Sequence, residues 1–363
     1  MKLDRARLQE VLSILGTSVG NKVMEVCDYV TFRVDKQATK LYMFTTNMYA
    51  FLSVDFGDVS LAEIDNVPDI FLIDYKMLNA VVKNSTTEIV EFIDKDTTVE
   101  IVSNGRYKFR KFANLDDLPS ADLSHDSLMA WPVPMLSGIW NKARVAVSND
   151  VTKINYQGVY YDGNFVATDN RRISIVHGPE YDGPAMLISP IFGDVLKHCR
   201  NEVKIGKGTN SDLVVMVCEE VGLMAGVRLI DAKFVNYKPI LESLQPDYRI
   251  VVEKRLVLGA LSRLLPFTDK MFKVLNVKAS KEGDVCRLTL SVDHDDAGTE
   301  VLSAKESSGK SDNWTLEKKY HIDNFYDGIA VTDSPDVVTL NFNDAGKFWM
   351  SEDGFEYLQT MIT

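Results

Sequence analysis

This 363-residue sequence has no long apolar runs and no cysteine pairs. None of its segments approaches the about 20 consecutive apolar residues that a membrane span needs. Its charged start, from Met1 to Arg5, lacks the apolar core of a secretory signal. No CxxC pair is formed by the four cysteines, which are Cys27, Cys199, Cys218 and Cys286. These absences predict a cytoplasmic protein with buried, reduced thiols and no membrane partner, and they argue against a disulfide framework.

Catalytic motifs are missing as well. The histidines occur singly, without an HExxH helix, and the sequence has no GxSxG elbow and no glycine-rich dinucleotide loop. Residues 304–311 (AKESSGKS) fit a relaxed phosphate-loop pattern, but the strand-like segment 313–316 follows where a helix is needed. The sequence therefore predicts a protein that is not an enzyme and has no metal and no cofactor. A nucleotide-dependent enzyme that uses the 304–311 loop is the alternative.

An excess of positive charge is also absent. The chain has 40 Lys plus Arg against 52 Asp plus Glu, a formal net charge of −12. This balance argues against a protein that coats nucleic acid with its whole surface. The predicted helices, however, carry more basic than acidic residues, while the remainder is strongly acidic. Helices that line one surface could therefore make loose, sequence-independent phosphate contacts, although an ordinary solvated helix face would give the same counts.

The chain does contain an internal repeat. Three similar tetrapeptides, FTTN at 44–47, VATD at 166–169 and LSVD at 290–293, end strand-like runs at intervals of about 120 residues. Around each of them the order of elements is helix, strands, helix, strands. Polar segments with proline, 116–122 and 238–247, separate the repeats. We therefore predict three domains, residues 1–123, 124–246 and 247–363.

Helical periodicity supports this division. Each repeat opens with an amphipathic helix, whose apolar residues are Leu8, Val11, Leu12 and Leu15, then Leu136, Ile139, Trp140 and Ala143, then Val257, Ala260, Leu261 and Leu264. A second helix in each repeat follows a candidate N-cap, namely Asp74, Ser189 or Asp323. The predicted fold class is α+β, with three copies of a unit in which two helices back an antiparallel sheet.

One segment resembles a known family. Residues 158–176 (GVYYDGNFVATDNRRISIV) are similar to the central motif of the bacterial DNA polymerase III beta sliding clamp, which runs close to GxxxExxxLxxVATDGHRLA. Residues 101–122 and 234–241 resemble two further segments of that family, and the order is kept along the whole chain. Asn170 and Arg171 stand where the family has Gly-His, Pro239 is shifted, and residues 359–361 replace Met-Pro-Met. These departures are typical of a divergent, phage-like member.

The resemblance implies the clamp fold and a head-to-tail homodimeric ring around double-stranded DNA, with a DNA polymerase and a clamp loader as partners. Carried over to this sequence, the DNA-facing residues are Lys22, Lys76, Lys83, Lys142, Arg144, Lys197, Arg200 and Arg263. The implied dimer interface contains Phe109, Lys111, Pro266 and Phe267, and its edge strand spans 107–112. The implied groove for client peptides is lined by Tyr156, Thr168, Arg171, Ile173, Val235, Ile240, Tyr357, Gln359 and Met361. A monomeric scaffold with the clamp fold is a second alternative.

Overall fold

The computed structural model describes residues 1–20, 24–59, 67–115, 118–293 and 296–362. The chain divides into two compact units. Unit 1 consists of Met1–Ser137 and Ile188–Leu229, and unit 2 consists of Gly138–Leu187 and Ile230–Thr363. The described part of the chain contains no helix with the length and apolar composition of a membrane span. All four cysteines are buried and free, as the sequence predicts.

The helices occur close to the predicted places. Those in the described residues are Arg5–Leu15 (α1), Tyr75–Lys83 (α2), Val133–Arg144 (α3), Ile191–Leu196 (α4), Lys238–Glu242 (α5), Lys254–Leu264 (α6) and Ile322–Ala330 (α7). Six of them correspond to the predicted helices. Only α5 was not expected, because residues 238–247 read as a polar connection. Pro134 lies in the first turn of α3 and Pro266 follows the end of α6, as predicted.

Unit 1 is built on two antiparallel sheets. One has the strand order β1-β6-β7-β8 and the other has the order β5-β2-β3-β4-β16-β15-β14-β9. The strands are Lys2–Asp4 (β1), Tyr29–Asp35 (β2), Lys40–Thr46 (β3), Ala50–Asp58 (β4), Ile70–Asp74 (β5), Ile89–Lys95 (β6), Thr98–Val102 (β7), Arg106–Arg110 (β8), Met129–Pro132 (β9), Glu202–Lys207 (β14), Leu213–Cys218 (β15) and Leu223–Arg228 (β16).

Unit 2 also has two antiparallel sheets, with the orders β13-β10-β11-β12-β25-β24-β23-β17-β21 and β20-β19-β18-β22. Their strands are Val159–Tyr161 (β10), Asn164–Thr168 (β11), Arg172–His177 (β12), Met186–Ile188 (β13), Tyr248–Glu253 (β17), Val274–Glu282 (β18), Val285–Asp293 (β19), Ala297–Ser303 (β20), Glu306–Ser308 (β21), Trp314–His321 (β22), Val337–Phe342 (β23), Lys347–Glu352 (β24) and Phe355–Thr360 (β25). This mixed architecture of antiparallel sheets and few helices confirms the predicted fold class.

The cores follow from the two periodicities of the sequence. In α1, Leu8, Val11, Leu12 and Leu15 are all buried, and the corresponding apolar residues of α6 are buried too. In β2, every second side chain is buried, because successive side chains of a strand point to opposite faces. Each fully buried Leu, Val or Phe stabilises the fold by about 1.5 to 3 kcal/mol relative to an exposed one.

The three-domain division stays a prediction. The large sheet of unit 1 joins strands from the first two expected repeats, and the large sheet of unit 2 joins strands from the last two. A division into compact units therefore groups strands of different repeats together. The three tetrapeptides do hold the same local position, since they stand at the ends of β3, β11 and β19.

Only one of the three candidate N-caps is a cap. The Asp74 carboxylate accepts a hydrogen bond of 2.8 Å from the backbone N–H of Met77 and begins α2. The residue before α4 is Pro190, with no side-chain cap, so the predicted cap at Ser189 is wrong. Asp323 is also not a cap, because α7 begins at Ile322 and Asp323 lies in its first turn.

We expect Asp74→Ala to lower the free energy of unfolding by about 1 kcal/mol, since the amide donors in the first turn of α2 lose an acceptor. The matched control is Ser189→Ala, which removes no capping bond and should change stability by less than about 0.5 kcal/mol. Urea unfolding followed by circular dichroism measures both. Equal losses in the two variants would contradict this assignment of the cap.

Candidate functional site

The VATD segment ends β11, and its Asp169 begins a tight turn to β12. Oδ1 of Asp169 accepts hydrogen bonds from the backbone N–H groups of Arg171 (2.9 Å) and Arg172 (3.0 Å). Asn170 has a φ of 77°, a left-handed conformation that asparagine tolerates better than most residues. This geometry explains how asparagine can replace the glycine of the family motif. Asn47 makes the equivalent turn in the first repeat, where its Oδ1 accepts from the N–H of Ala50 at 2.9 Å.

Arg172 joins this turn to α7. Its guanidinium lies 3.0 Å from Oδ2 of Asp169 and 2.8 Å from Oδ2 of Asp327, with 11% of its side chain exposed. Burial opposes the charge of Arg172, but Tyr357 and the two carboxylates raise its pKa overall. Arg172 is absent from the implied groove set, and its contacts with Asp169 and Asp327 make it a residue that positions the turn. Removing it would leave the Asp169 and Asp327 carboxylates without this cation.

An apolar cluster lies on one face of the large sheet of unit 2, next to this turn. Phe234 and Tyr237, from the segment before α5, cover Ile173, Trp349 and Leu358 of the sheet. Partly buried residues pack around these five, including the predicted groove residues Val235 and Ile240. We call this the linker cluster. Its edge offers partly exposed apolar surface, which is a suitable site for an apolar side chain of a partner.

Three predicted groove residues are close in sequence to members of the linker cluster. Thr168 ends β11, where its hydroxyl donates to the carbonyl of Arg172 at 2.6 Å. The side chain of Arg171 is exposed, and its carbonyl accepts from the N–H of Thr360 at 2.9 Å. Met361 follows β25 and packs over Gly346, where an added Cβ would lie 2.3 Å from its sulfur. The exposed Arg171 and the half-buried Met361 therefore both lie next to the C-terminal end of β25. Arg171 is hydrogen-bonded to Thr360, the last residue of that strand, and Met361 follows it.

Three members of the predicted groove need correction. Ile173 pairs with Leu358 across the sheet, so Tyr357 and Gln359 point to the opposite face. There, Tyr357 is fully buried and its hydroxyl donates to the carbonyl of Asn324 at 2.6 Å. Leu358 therefore takes the expected place of Tyr357 and Gln359 in the apolar surface. Likewise, the aromatic residue that stacks on Phe234 is Tyr160, with ring centroids 4.7 Å apart, whereas Tyr156 ends a separate 3₁₀ turn.

The half-buried His321 should make unit 2 sensitive to acid. Burial lowers the pKa of its imidazole, Asp323 opposes this shift, and Lys273 and Arg172 add to it. The unfolded chain then binds the proton more readily than the folded one. The stabilising contribution of the neutral ring is complete above the unfolded pKa of about 6.5 and is lost as the pH falls from there through the lower pKa of the folded state.

We therefore expect the melting temperature to fall between about pH 7.5 and pH 5.5, and to fall less in His321→Gln. Burial also lowers the pKa of His198, so the variant should remove only part of the effect. Thermal unfolding of both proteins at the two pH values measures this. An equal fall in both proteins would show that His321 has no part in it.

The basic residues of the helices fall into two groups. Lys76, Lys83 and Arg144 are exposed and have no ion-pair partner among the described residues. Four others are already paired, Lys142 with Asp333, Lys197 with Asp194, Arg200 with Glu10, and Arg263 with Glu300. Lys142 also lies 5.3 Å from the ring centroid of Phe355 and has 14% of its side chain exposed, so it is less accessible than the first group. Lys22 lies outside the described residues.

The edge strand of the implied dimer interface is present, but its orientation differs from the expected one. β8 is the last strand of the four-stranded sheet of unit 1. Phe109 points into the core and is 3% exposed, while Tyr107 is 39% exposed. Lys111 already pairs with Asp94. The exposure predicted for Phe109 is therefore wrong, and the outer surface of β8 is basic through Arg106, Lys108 and Arg110.

A second candidate interface lies in unit 2. Pro266 and Phe267 form a 3₁₀ turn after α6, and Phe267 is 42% exposed. Met271 (78%) and Phe272 (63%) are even more exposed, and no sequence pattern indicated either residue. We call Phe267, Met271 and Phe272 the apolar patch. Phe267 lies next to Gly298 of β20, which is an edge strand of its sheet, so apolar side chains and a strand edge occur together.

The 304–311 segment does not have the geometry of a phosphate loop. Residues 306–308 form the edge strand β21, and β22 follows at Trp314 instead of a helix. The lysine of the pattern, Lys310, forms ion pairs with Asp247 (3.1 Å) and Asp344. In the part of the chain that the structure describes, no group of three or more His, Cys, Asp or Glu side chains is placed to hold a metal ion.

No protein-family model and no curated protein matches the sequence. Solved structures do match the fold. The chain superimposes on the DNA polymerase III subunit beta from Pseudomonas aeruginosa with a TM-score of 0.85 and 15% identity, over 100% of this chain and 99% of that one. The putative DNA polymerase III beta subunit from Eubacterium rectale gives 0.86 and 14%, over 100% and 99%. The DNA polymerase sliding clamp from Bacillus subtilis gives 0.84 and 15%, over 100% and 98%. This likeness confirms the predicted sliding-clamp fold.

Proposed function

We propose that this protein is a DNA sliding clamp, a processivity factor that encircles duplex DNA as a homodimeric ring and tethers a DNA polymerase. The observation that carries the proposal is the likeness of fold to bacterial sliding clamps over 100% of the chain. The match also covers 99% of each of those two chains. The proposal includes three clamp domains, residues 1–123, 124–246 and 247–363.

Ring closure would join β8 of one subunit to β20 of its partner. Both are edge strands whose outer N–H and C=O groups are available for pairing. The basic outer side chains of β8 would meet a strand edge that begins opposite Asp293 and carries Glu300, a carboxylate shared with Arg263. The apolar patch would be covered in the same contact. The two contacting surfaces need not be identical. A head-to-tail contact gives a closed dimer when one subunit is rotated by half a turn relative to the other.

DNA would be held by its phosphates and without sequence readout. The exposed side chains of Lys76, Lys83 and Arg144 are the free cations among the predicted DNA-facing residues that the structure describes. Such contacts are weak and exchangeable, which allows a ring to slide. The net charge of −12 would keep DNA away from the remaining surface.

The polymerase and the clamp loader would each insert a short apolar peptide at the edge of the linker cluster. Ile173, Val235, Ile240 and Leu358 would supply the apolar surface, and Arg171 would supply a charge at its border. A partly exposed methionine, Met361, suits a surface that must accept different partners in turn.

Replacing Lys76, Lys83 and Arg144 together by alanine should weaken binding to a duplex oligonucleotide and flatten its dependence on salt. Each lost phosphate contact reduces the slope of log K against log salt by about 0.9, so the full effect is about 2.7. The control replaces three exposed strand residues, Lys95, Lys278 and Arg287, and makes the same change in net charge. Fluorescence anisotropy over a salt series measures both slopes. An unchanged slope in the helix variant, or the same change in the control, would contradict the proposed DNA surface.

A further inference from the structure

An open apolar cavity of about 290 Å³ lies on the large sheet of unit 1. Its floor includes Phe44, Leu52 and Thr31 on adjacent strands, and its wall is the segment from Leu118 to Leu123. This volume is close to the lower limit of ligand pockets, about 300 Å³. The cavity is thus large enough for one or two apolar side chains. We call it the unit 1 cavity.

The wall of this cavity differs from its counterpart in unit 2. In unit 2, the segment before α5 places Phe234 and Tyr237 on the sheet and fills the space beneath it. In unit 1, the corresponding wall has the small residues Pro119, Ser120 and Ala121 at its centre. Leu123 reaches the sheet, where an added Cβ at Gly226 would lie 2.4 Å from its Cδ2. The small residues leave the sheet face open to an outside side chain.

Three polar side chains at the unit 1 cavity are without a hydrogen-bond partner among the described residues. The hydroxyls of Thr31 and Ser53 and the guanidinium of Arg33 line it, and none of them has a side-chain hydrogen bond within the described residues. Arg33 is exposed and stands beside Ile70, its neighbour on β5, which is 37% exposed. An unpaired guanidinium next to an apolar surface is suited to binding the carboxylate of an otherwise apolar ligand.

The two ends of the unit 1 cavity differ in their electrostatic environment. Tyr29 lines the end opposite to Arg33, about 13 Å away along β2 at about 3.3 Å per residue. At that end, burial and the carboxylates of Glu25 and Asp74 raise the pKa of the Tyr29 hydroxyl. A negative group would therefore be repelled at the Tyr29 end and attracted at the Arg33 end. The span corresponds to about four extended residues.

We propose that the unit 1 cavity binds an extended peptide segment of a partner protein, about four residues long, with two apolar side chains and a carboxylate next to Arg33. In an extended chain, alternate side chains point to the same face, so the apolar residues would be two positions apart. This site is separate from the linker cluster and does not depend on ring formation. It would give the protein a second docking position for peptide-bearing partners.

The test uses the tetrapeptide acetyl-Gly-Leu-Gly-Phe with a free C-terminal carboxylate, and the same peptide with a C-terminal amide. Methyl NMR of the full chain should show shifts at Ile70, Leu118 and Leu123. The carboxylate form should bind about tenfold more tightly than the amide. Arg33→Gln should abolish that difference, and Ala121→Trp, which fills the cavity, should weaken both forms.

Arg33 is exposed, so Arg33→Gln keeps the fold and gives a clear answer even if Ala121→Trp is unstable. Shifts confined to Ile173 and Ile240 would overturn the proposal, because the peptide would then use only the linker cluster. Equal affinity of the acid and amide forms for the unsubstituted protein would overturn the role of Arg33. The absence of any methyl shift at several millimolar peptide would overturn the site itself.

Discussion

Replacing Met271 and Phe272 by aspartate is expected to halve the molar mass in solution, from twice the chain mass of 40.8 kDa to the single-chain value. These side chains are 78% and 63% exposed in the chain, so the substitutions should not disturb the fold. In the proposed ring they would be buried against the partner. Truncating or charging a central interface residue commonly costs about 2 to 4 kcal/mol of binding free energy.

Light scattering coupled to size exclusion measures this molar mass, and Val151→Asp is the control. Val151 is 84% exposed in the same unit, outside the apolar patch, so its variant should keep the dimer mass. Phe109→Asp is not a suitable test, because Phe109 is 3% exposed and the change would destabilise unit 1 itself. A single-chain mass for the unsubstituted protein would favour the monomeric scaffold, and a dimer mass for the double variant would place the interface elsewhere.

Ile240→Ser is expected to remove most of the proposed stimulation of a DNA polymerase. Ile240 is a partly buried residue at the edge of the linker cluster, where a client side chain would need an apolar contact. Loss of such an anchor typically costs about 2 kcal/mol or more, which is about thirtyfold in affinity. The length of products made on a primed single-stranded circle measures the effect.

The matched control is Val285→Ser, which changes an apolar side chain that is 50% exposed on β19 and should leave stimulation unchanged. Deletion of the chain from Tyr357 onward does not test the groove. β25 lies between β12 and β24, so the deletion would remove an interior strand of the large sheet. Ile240→Ser with full stimulation, at unchanged melting temperature, would rule out the linker cluster as the client site.

Local patterns predicted the elements of this fold well. The helical spacing of Leu8, Val11, Leu12 and Leu15 identified the buried face of α1, because a single helix buries residues at fixed intervals. The repeated tetrapeptides marked the ends of three strands, and the turn that follows two of them depends on one side chain. Asn47 and Asp169 both accept backbone N–H groups, so the residue type itself specifies the turn.

The direction of strand side chains could not be predicted from such patterns. Alternation shows that Tyr107 and Phe109 share a face of β8, but the position of the neighbouring layer decides that Phe109 is buried. The same holds for Tyr357, which lies on the α7 side of its sheet. Ion pairs between residues distant in sequence, such as Lys142–Asp333, could not be predicted either, because charge counts do not show which cations have partners.

The most direct test of the central claim is retention on circular DNA. The protein is dissociated by dilution, reassociated in the presence of a nicked circular plasmid, and passed over a sizing column at a salt concentration that suppresses phosphate contacts. A closed ring should remain with the circle and leave it after a restriction enzyme cuts the plasmid once. Equal retention on circular and linear DNA, or no retention on either, would contradict the proposal that the chain encircles duplex DNA.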